Sequence, residues 1–184
     1  MTQTRRSFLA TGTAAGLVTL AAPAIAAQGA VQRNVSALQR IDWRDHFDAL
    51  GRGVIVADTK ARAVHFWGGD GETYRLYPSS VPVSEELTRL GYTEVVRKVE
   101  GPTWTPTPSM RERDPSLPAV VPAGPGNPLG THALYLSWQY YRIHGTHDTR
   151  KIGRPSSDGC IGLYNEHIAK LFALVETGTQ VRLI

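Results

Sequence analysis

The prolines of this chain are gathered in one segment, and their distribution limits the folds that the chain can adopt. Eight of the twelve prolines lie between residues 101 and 130. Proline lacks a backbone N–H and has a fixed φ angle, so such a run excludes a long helix or an internal strand. The sequence therefore predicts a long irregular segment without a strand ladder of its own. Trp104, Arg111 and Arg113 are compatible with a lid over a binding site, and exposed surface is the alternative.

Residues on both sides of this segment carry β-strand patterns. Short runs rich in β-branched and aromatic residues are separated by Gly and Asp turn signals. Before the segment these runs are GVIVAD, RAVHFWG and TYRLYPSSV, which start at residues 53, 62 and 73, and then the range 94–100. After it they are THALYLSW, YRIHG, CIGLY and QVRLI, which start at residues 131, 141, 160 and 180. The fold class predicted from these patterns is mostly β.

One or two short helices accompany the predicted strands. Apolar residues follow amphipathic helical spacing near the C-terminus, with Asn165 as the predicted N-cap and Gly178 after the helix end. These apolar residues are Ile168, Leu171, Phe172 and Val175. A second, brief helix is predicted from Ser84, as N-cap, to Gly91.

The first 26 residues are predicted to be an export signal. Arg5 and Arg6 precede Ser-Phe-Leu and an uncharged stretch rich in Ala, Gly, Leu and Val. Paired arginines in this position resemble a twin-arginine signal, and the sequence Ala-Ile-Ala at 24–26 supplies a small-residue cleavage site. A membrane anchor is the alternative, but Gly, Thr and Pro23 make the segment weakly apolar. The mature protein is expected in the periplasm or cell envelope, with no membrane span after cleavage.

The rest of the chain is predicted to form one domain. The 184 residues leave room for a signal peptide at 1–26, an N-terminal extension at 27–51 and a single domain at 52–184. An amphipathic piece of the extension, 41–50, is expected to pack on the domain edge. The net charge of +4 suits an anionic partner or an ordinary solvated surface, and no pattern indicates a nucleic-acid-binding surface.

A single cysteine, Cys160, occurs in the whole sequence. An oxidising compartment normally uses thiols in pairs, so Cys160 is a buried small hydrophobe, an intermolecular link or a reactive thiol. A nucleophilic thiol needs a base or a cation beside it, and His144, at the end of an apolar strand, is the best candidate. The preceding Ser-Ser-Asp-Gly turn can direct the N–H groups of Gly159 and Cys160 toward an oxyanion, with the Asp158 N–H as a third donor.

The spacing of these residues resembles that of the L,D-transpeptidase catalytic domain family. His144-Gly145-Thr146 is followed, thirteen residues after the histidine, by Ser157 and then by Asp-Gly-Cys-Ile at 158–161. The resemblance covers about 130 residues, including NPLGTHALYL upstream, and implies an L,D-transpeptidase-like β-sandwich. It also implies that the Gly145 carbonyl orients His144.

The resemblance implies acyl transfer on peptidoglycan without a cofactor. The Cys160 thiolate would attack the amide between the third residue of a stem tetrapeptide and its D-alanine. An amine of a second stem, or of an envelope protein, would then take the acyl group. Transfer to water instead, as in an L,D-carboxypeptidase, and a non-catalytic wall-binding domain are the alternatives, although the intact Cys-His pair disfavours the second.

Two positions depart from the family pattern. Asp158 places a negative charge beside the thiol, which opposes thiolate formation unless Arg150 or Arg154 pairs with it. Gly162 stands where many relatives carry Arg or Asn, so a substrate carboxylate would have to be bound by the preceding loop. The binding residues expected there are Arg150, Lys151 and Arg154, with Trp104 from the proline-rich segment.

Other histidines and hydroxyls have simpler interpretations. Ser157 either caps local N–H groups or takes a direct part in the reaction. A zinc site of His144, His147, Asp148 and Cys160 has ligands of suitable types, but i and i+3 face opposite sides of a strand and no second cysteine supports it. His147 is expected at the mouth of the cleft, and His65 and His132 are expected to be structural.

Overall fold

The structure is a computed structural model that describes residues 41–184. The predicted signal peptide and residues 27–40 of the extension lie outside the described residues. The first strands form a meander: β1 Val54–Asp58, β2 Ala63–Trp67 and β3 Tyr74–Pro78. After these come β4 Val81–Pro82, β5 Gly91–Glu100, α1 Pro108–Arg113, β6 His132–Leu136 and β7 Arg142–His144. The last elements are β8 Pro155–Ser157, β9 Ile161–Gly162, α2 Asn165–Leu174 and β10 Gln180–Leu183.

Eight of these strands form one sheet, in the order β3-β2-β1-β10-β5-β6-β7-β9. Two neighbouring pairs, β1 with β10 and β7 with β9, are parallel, and the others are antiparallel. Phe66 and Tyr77 from one end of the sheet share a core cluster with Ile143 and Ile161 from the other end. The sheet must therefore curl so that both ends enclose the same apolar interior.

A short seam joins the two ends of the curled sheet. β4 pairs in parallel with β8, and Ser80 forms an antiparallel bridge with Gly162 of β9. Gly162 donates its N–H to the Ser80 carbonyl at 3.2 Å, and the Ser80 N–H donates to the Gly162 carbonyl at 2.8 Å. This seam holds β9, and hence the residues just before it, against the segment that follows β3.

The range 41–50 covers the outer face of β1, as expected for the amphipathic piece. It contains a 3-10 helix at Trp43–Asp45, which Asp42 caps by accepting the Arg44 N–H. Phe47 is buried in a second cluster with Val54 and Val56 of β1. β1 is therefore buried on both faces, which agrees with its uninterrupted run of apolar residues.

The C-terminal helix is present, but its first turn differs from the prediction. α2 buries Ile168 and Leu171 and ends at Leu174, before the predicted end. Tyr164 occupies the N-cap position and makes no side-chain capping bond. Asn165 is the first helical residue, and its side chain accepts from the N–H groups of Thr131 and Thr146 instead. Tertiary bonding thus replaces the local cap. None of the helices in the range 41–184 is long and apolar enough to cross a membrane.

The helix predicted from Ser84 to Gly91 is wrong. This stretch forms a single turn, in which the Thr88 N–H donates to the Glu85 carbonyl. The Thr88 hydroxyl donates to the Ser84 carbonyl, and the Tyr141 hydroxyl donates to the Leu87 carbonyl. Side chains therefore satisfy carbonyl groups that a helix would have used, and the next strand already begins at Gly91.

The proline-rich segment is mostly irregular, as predicted, but it is well bonded. It contains the short helix α1, whose N-cap Thr107 accepts from the Met110 N–H, and an isolated bridge between Trp104 and Val121. Asn127 is buried, and its amide nitrogen lies 2.8–3.1 Å from the carbonyls of Pro102, Val121 and Pro122. One polar side chain thus gathers parts of the segment that are distant in sequence.

Candidate active site

A cavity of about 250 Å³ opens between the proline-rich segment and the end of β7. Cys160 and His144 both line it, which brings together the two residues that the sequence motif singled out. Trp104, Thr107 and Met110 form its wall on the side of the proline-rich segment. The segment therefore supplies part of the site, in agreement with the interpretation as a lid rather than as exposed surface alone.

His144 is buried and held in one orientation. It is the last residue of β7, between β6 and β9, and its ring Nδ1 lies 2.5 Å from the Gly145 carbonyl oxygen. Because a carbonyl can only accept, Nδ1 carries the proton and Nε2 is left as the basic nitrogen. Burial lowers the pKa of His144 to about 4, with a further lowering by the positive charge of Arg142. The imidazole is therefore neutral at neutral pH.

Position 145 requires a glycine because the Asn165 side chain packs directly against it. A Cβ at this position would overlap the Asn165 side-chain oxygen, which accepts the Thr146 N–H at 3.1 Å. Asn165 also accepts the Thr131 N–H at 3.2 Å and so ties the turn after His144 to the loop before β6. This explains why the first residue of α2 is an Asn whose side chain is not free to cap the helix.

Cys160 follows β8 at a turn whose conformation needs a glycine. Gly159 has a φ of +123°, in a region that L residues other than glycine rarely adopt. The Ser157 hydroxyl donates to the Cys160 carbonyl at 2.5 Å, which is a local bond to a carbonyl and not the expected cap of N–H groups. The half-buried Cys160 donates its thiol hydrogen to the Tyr140 carbonyl, with the two atoms 3.3 Å apart. Burial raises the pKa of the thiol.

The charge of Asp158 is compensated, but by an unexpected partner. Arg113, at the end of α1, forms an ion pair with the Asp158 carboxylate. Arg150 instead makes two hydrogen bonds to Asp148, at 2.8 and 2.9 Å, which hold the pKa of Asp148 at about 2. The expected pairing of Asp158 with Arg150 or Arg154 is therefore wrong, because the proline-rich segment brings a closer cation.

Two of the four predicted binding residues line the cavity. Trp104 and Lys151 are among its walls, whereas Arg150 and Arg154 are not. Arg150 is exposed on the 3-10 helix Thr149–Lys151, where Asp148 draws its guanidinium away from the site. Arg154 is exposed, and its carbonyl accepts the Val81 N–H at the seam. Arg150 and Arg154 therefore do not line the cavity, contrary to the expectation for binding residues.

Comparison with known proteins identifies the family. A family model for the YkuD L,D-transpeptidase catalytic domain matches residues 52–183. The chain belongs to this family. A Fuscovulum blasticum protein named as an L,D-transpeptidase, in the ATP synthase subunits region (ORF 5), is 58% identical over 187 residues, 100% of this chain and 98% of that protein. The chain is accordingly an enzyme of the L,D-transpeptidase class.

One relative in the family is longer than this chain. ErfK/SrfK of Escherichia coli K12 carries the same family name and is 41% identical over 142 residues, which cover 74% of this chain and 45% of ErfK/SrfK. The chain therefore spans about half the length of this relative, judged by the matched 45%.

Solved L,D-transpeptidase structures share the fold. The enzyme from Stackebrandtia nassauensis has a TM-score of 0.58 at 15% identity, covering 83% of this chain and 64% of that one. L,D-transpeptidase 3 from Mycobacterium tuberculosis, in complex with a faropenem-derived adduct, has a TM-score of 0.55 at 15% identity, covering 72% and 60%. At these identities the likeness concerns the fold alone, and it confirms the predicted mostly β class with two helices.

Arg142 is a residue of this L,D-transpeptidase site that was missed from the sequence. Arg142 lies two residues before His144 on β7, so the period of a strand places both on one face, and this signal could have identified it. Tyr140 has a positive φ of +67°, which directs its backbone toward Cys160 and gives no signal in the sequence. Arg142 and Tyr140 both line the cavity.

The remaining histidines occupy the expected positions. His147 is exposed and lines the cavity, whereas His65 lies in β2 and His132 in β6. His65 bonds to the Tyr74 hydroxyl, and His132 packs against Phe172. Within the range 41–184 no group of three or more His, Cys, Asp or Glu side chains is arranged to hold a metal ion.

Proposed function

We propose that this protein is a peptidoglycan L,D-transpeptidase in which Cys160 is the nucleophile and His144 is the general base. The observation that carries this proposal is their common cavity, with His144 held through the Gly145 carbonyl so that Nε2 is unprotonated. A neutral imidazole in a buried position is a competent acceptor for the proton of a thiol.

The reaction begins when His144 removes the thiol proton and the Cys160 sulfur attacks a stem-peptide carbonyl. The attacked amide joins the third residue to the terminal D-alanine. As the tetrahedral intermediate collapses, the C–N bond breaks and His144 returns the proton to the leaving D-alanine amine. An amine of a second stem, or of an envelope protein, then attacks the thioester and releases the thiol.

The residues around the sulfur have supporting roles in this proposal. The N–H groups of Gly159 and Asp158 stabilise the oxyanion. The positive φ of Gly159 allows the tight turn that these N–H groups need. Ser157 holds this turn through its bond to the Cys160 carbonyl. Lys151 and Trp104 both line the cavity. In this proposal Lys151 binds a substrate carboxylate, and Trp104 packs against the stem peptide.

The products formed from a purified disaccharide-tetrapeptide test this function. Cross-linked dimer with release of D-alanine supports the transpeptidase, tripeptide alone supports the carboxypeptidase, and no product from a folded protein contradicts both. Cys160→Ser should lose nearly all turnover, and His144→Ala should lose about a thousandfold or more, because residues that act as a unit fail together.

Acylation by a β-lactam is an independent measure of the same site. The M. tuberculosis structure with a faropenem-derived adduct supports the use of a penem or carbapenem. Because the sequence has one cysteine, intact mass followed by peptide mapping should place any adduct on the fragment that contains Cys160. An adduct on another residue would contradict the assigned nucleophile.

The proposed site of action is the periplasm or cell envelope. It rests on the division into a twin-arginine-type signal peptide at 1–26, an extension at 27–51 and a catalytic domain at 52–184. Replacing Arg5 and Arg6 with lysine should leave a fused reporter in the cytoplasmic fraction. Undiminished export of that variant would contradict the twin-arginine route without affecting the proposed reaction.

A further inference from the structure

Arg142 places a positive charge inside the cavity, next to the catalytic pair. It begins β7, two residues before His144, and both side chains line the same cavity as Cys160. The guanidinium lies over the Tyr135 ring, 5.0 Å from its centroid, and donates to the Tyr140 carbonyl at 3.4 Å. Its Nε is buried and has no hydrogen-bond partner among the described residues. A buried donor without a partner needs an acceptor that the resting site does not supply.

The cysteine sulfur is the acceptor that Arg142 can serve. The guanidinium Nη1 of Arg142 and the Cys160 Sγ lie 3.4 Å and 3.3 Å from the same atom, the Tyr140 carbonyl oxygen. Burial raises the pKa of the thiol, and the positive charge of Arg142 acts against this and favours the ionised form. The Tyr140 carbonyl acts in the opposite sense, because it can accept from the S–H group but not from a thiolate. The Tyr140 carbonyl therefore favours the thiol, and the positive charge of Arg142 favours the thiolate.

We propose that Arg142 is a catalytic residue, whose guanidinium stabilises the negative charge on the Cys160 sulfur as the thiol proton passes to His144. The proton moves from Sγ to Nε2 of His144, and the electron pair that remains on sulfur forms the bond to the carbonyl carbon. Arg142 keeps its own protons throughout. This inference rests on the proposed role of Cys160 as the nucleophile.

No other group at the site is equally suited to this task. The charged and titratable groups that line the cavity with Cys160 are Tyr140, Arg142, His144, His147, Lys151 and Asp158. His144 is neutral at rest, and Asp158 is negative and raises the pKa of the thiol. Among the neighbouring cations, Arg142 alone contributes to lowering the pKa of Cys160. Its charge also lowers the pKa of His144, which keeps the base unprotonated.

The pH dependence of thiol alkylation tests the proposal on the full mature chain. Iodoacetamide is uncharged and reacts with the thiolate, so the midpoint of its rate against pH reports ionisation of Cys160. A neighbouring cation typically lowers the pKa of an acid by about one to three. Arg142→Gln should therefore raise the midpoint by at least about one pH unit and slow alkylation at pH 7.5 about tenfold. Arg142→Lys should fall between this variant and the wild type.

Arg97→Gln is the matched control. Arg97 also stacks on Tyr135, 3.9 Å from the ring centroid, but it is exposed and does not line the cavity. It should keep the wild-type alkylation profile. Thermal unfolding of each variant checks that it is folded, and the Arg142→Lys protein preserves the test if Arg142→Gln is not. A wild-type profile in folded Arg142→Gln or Arg142→Lys, or the same shift in Arg97→Gln, would overturn the proposal.

Two further arms separate the alternatives. If Arg142 only binds a substrate carboxylate, Arg142→Gln will lose reactivity with anionic iodoacetate while its iodoacetamide profile is unchanged, and the proposal fails. If tetrapeptide never acylates the wild type but Arg142→Gln still shifts the iodoacetamide profile, the proposed function fails and the thiolate-stabilising contact is supported. The two failures are thus distinguishable.

Discussion

His144 and Cys160 lie in an environment that keeps both of them uncharged. Burial lowers the pKa of the imidazole to about 4 and raises the pKa of the thiol. A resting thiolate–imidazolium pair is therefore disfavoured, so in the proposed mechanism the proton moves as the sulfur attacks the substrate. Because the pKa of His144 differs between the folded and the unfolded chain, its burial also makes the stability of the protein depend on pH.

The free energy of unfolding should depend on the protonation of His144. The unfolded chain binds a proton at this residue below about pH 6.5, whereas the folded chain does so only below about pH 4. Protons therefore favour the unfolded state in this window, and stability falls as the pH is lowered from 6.5 to 4. The full difference is about 3 kcal/mol, since each pKa unit is worth about 1.4 kcal/mol.

Urea unfolding of the wild type and of His144→Gln at several pH values measures this contribution. His46 and His65 also have lowered pKa values because of burial, but they are present in both proteins. The difference between the two curves isolates His144 and should shrink as the pH falls through the window. Parallel curves between pH 4 and 6.5 would mean that the imidazole titrates normally in the folded state.

Elements around the site owe their arrangement to single polar residues. α1 is joined to the turn that precedes Cys160 by the ion pair between Arg113 and Asp158. The rest of the proline-rich segment is gathered by Asn127, which is 1% exposed and also accepts the Leu129 N–H through its side-chain oxygen at 2.8 Å. Proline prevents a regular ladder here, so a side-chain amide supplies the cross-links that a ladder would have made.

Asn127→Leu should lower the free energy of unfolding by about 3 kcal/mol, because it leaves buried carbonyls without donors while keeping a similar volume. Backbone amides in the range 101–130 should also exchange faster with deuterium, since the segment loses its cross-links. Asp114→Ala is the control, because Asp114 is exposed and the hydrogen bonds of its side chain are to nearby Ser116. Equal effects of the two substitutions would contradict the role of Asn127.

Local patterns predicted the strands and α2 because their apolar periodicity agrees with their burial. They failed where tertiary partners decide the local structure. Ser84 begins no helix, since the Leu87 carbonyl is taken by the Tyr141 hydroxyl from a remote hairpin. Asn165 is not a cap because its side chain bonds to two loops instead. Likewise, the partner of Asp158 comes from 45 residues away, which no motif spacing reveals.

The whole molecule depends on the contact that brings the two ends of its sheet together. β9 is the last strand of the eight, and its Gly162 pairs with Ser80 just beyond β3, at the opposite end. Cys160 lies directly before β9, so the seam that closes the sheet also positions the proposed nucleophile. The family motif identified Cys160, but only the curled sheet explains why glycine follows at 162.

Gly162 is required because Ser80 occupies the space where its side chain would be. A Cβ at Gly162 would overlap the Ser80 hydroxyl, whereas the Ser80 Cβ would remain at 3.7 Å, an ordinary contact distance. Gly162→Ala should therefore lower the free energy of unfolding by about 1–3 kcal/mol through overpacking. The φ of Gly162 is not in the left-handed region, so backbone strain adds nothing.

Ser80→Ala in the Gly162→Ala background should restore most of this loss, since it removes the hydroxyl that is overlapped and leaves the backbone bridge intact. A double-mutant cycle measured by urea unfolding should give a favourable coupling of about 1 kcal/mol or more. Gly126→Ala is the control, because a Cβ there meets nothing within 4 Å, and it should be close to neutral. Additive effects of the substitutions at 80 and 162 would show that the two ends of the sheet do not press on each other at this point. The departure from the Arg or Asn of relatives would then need another cause.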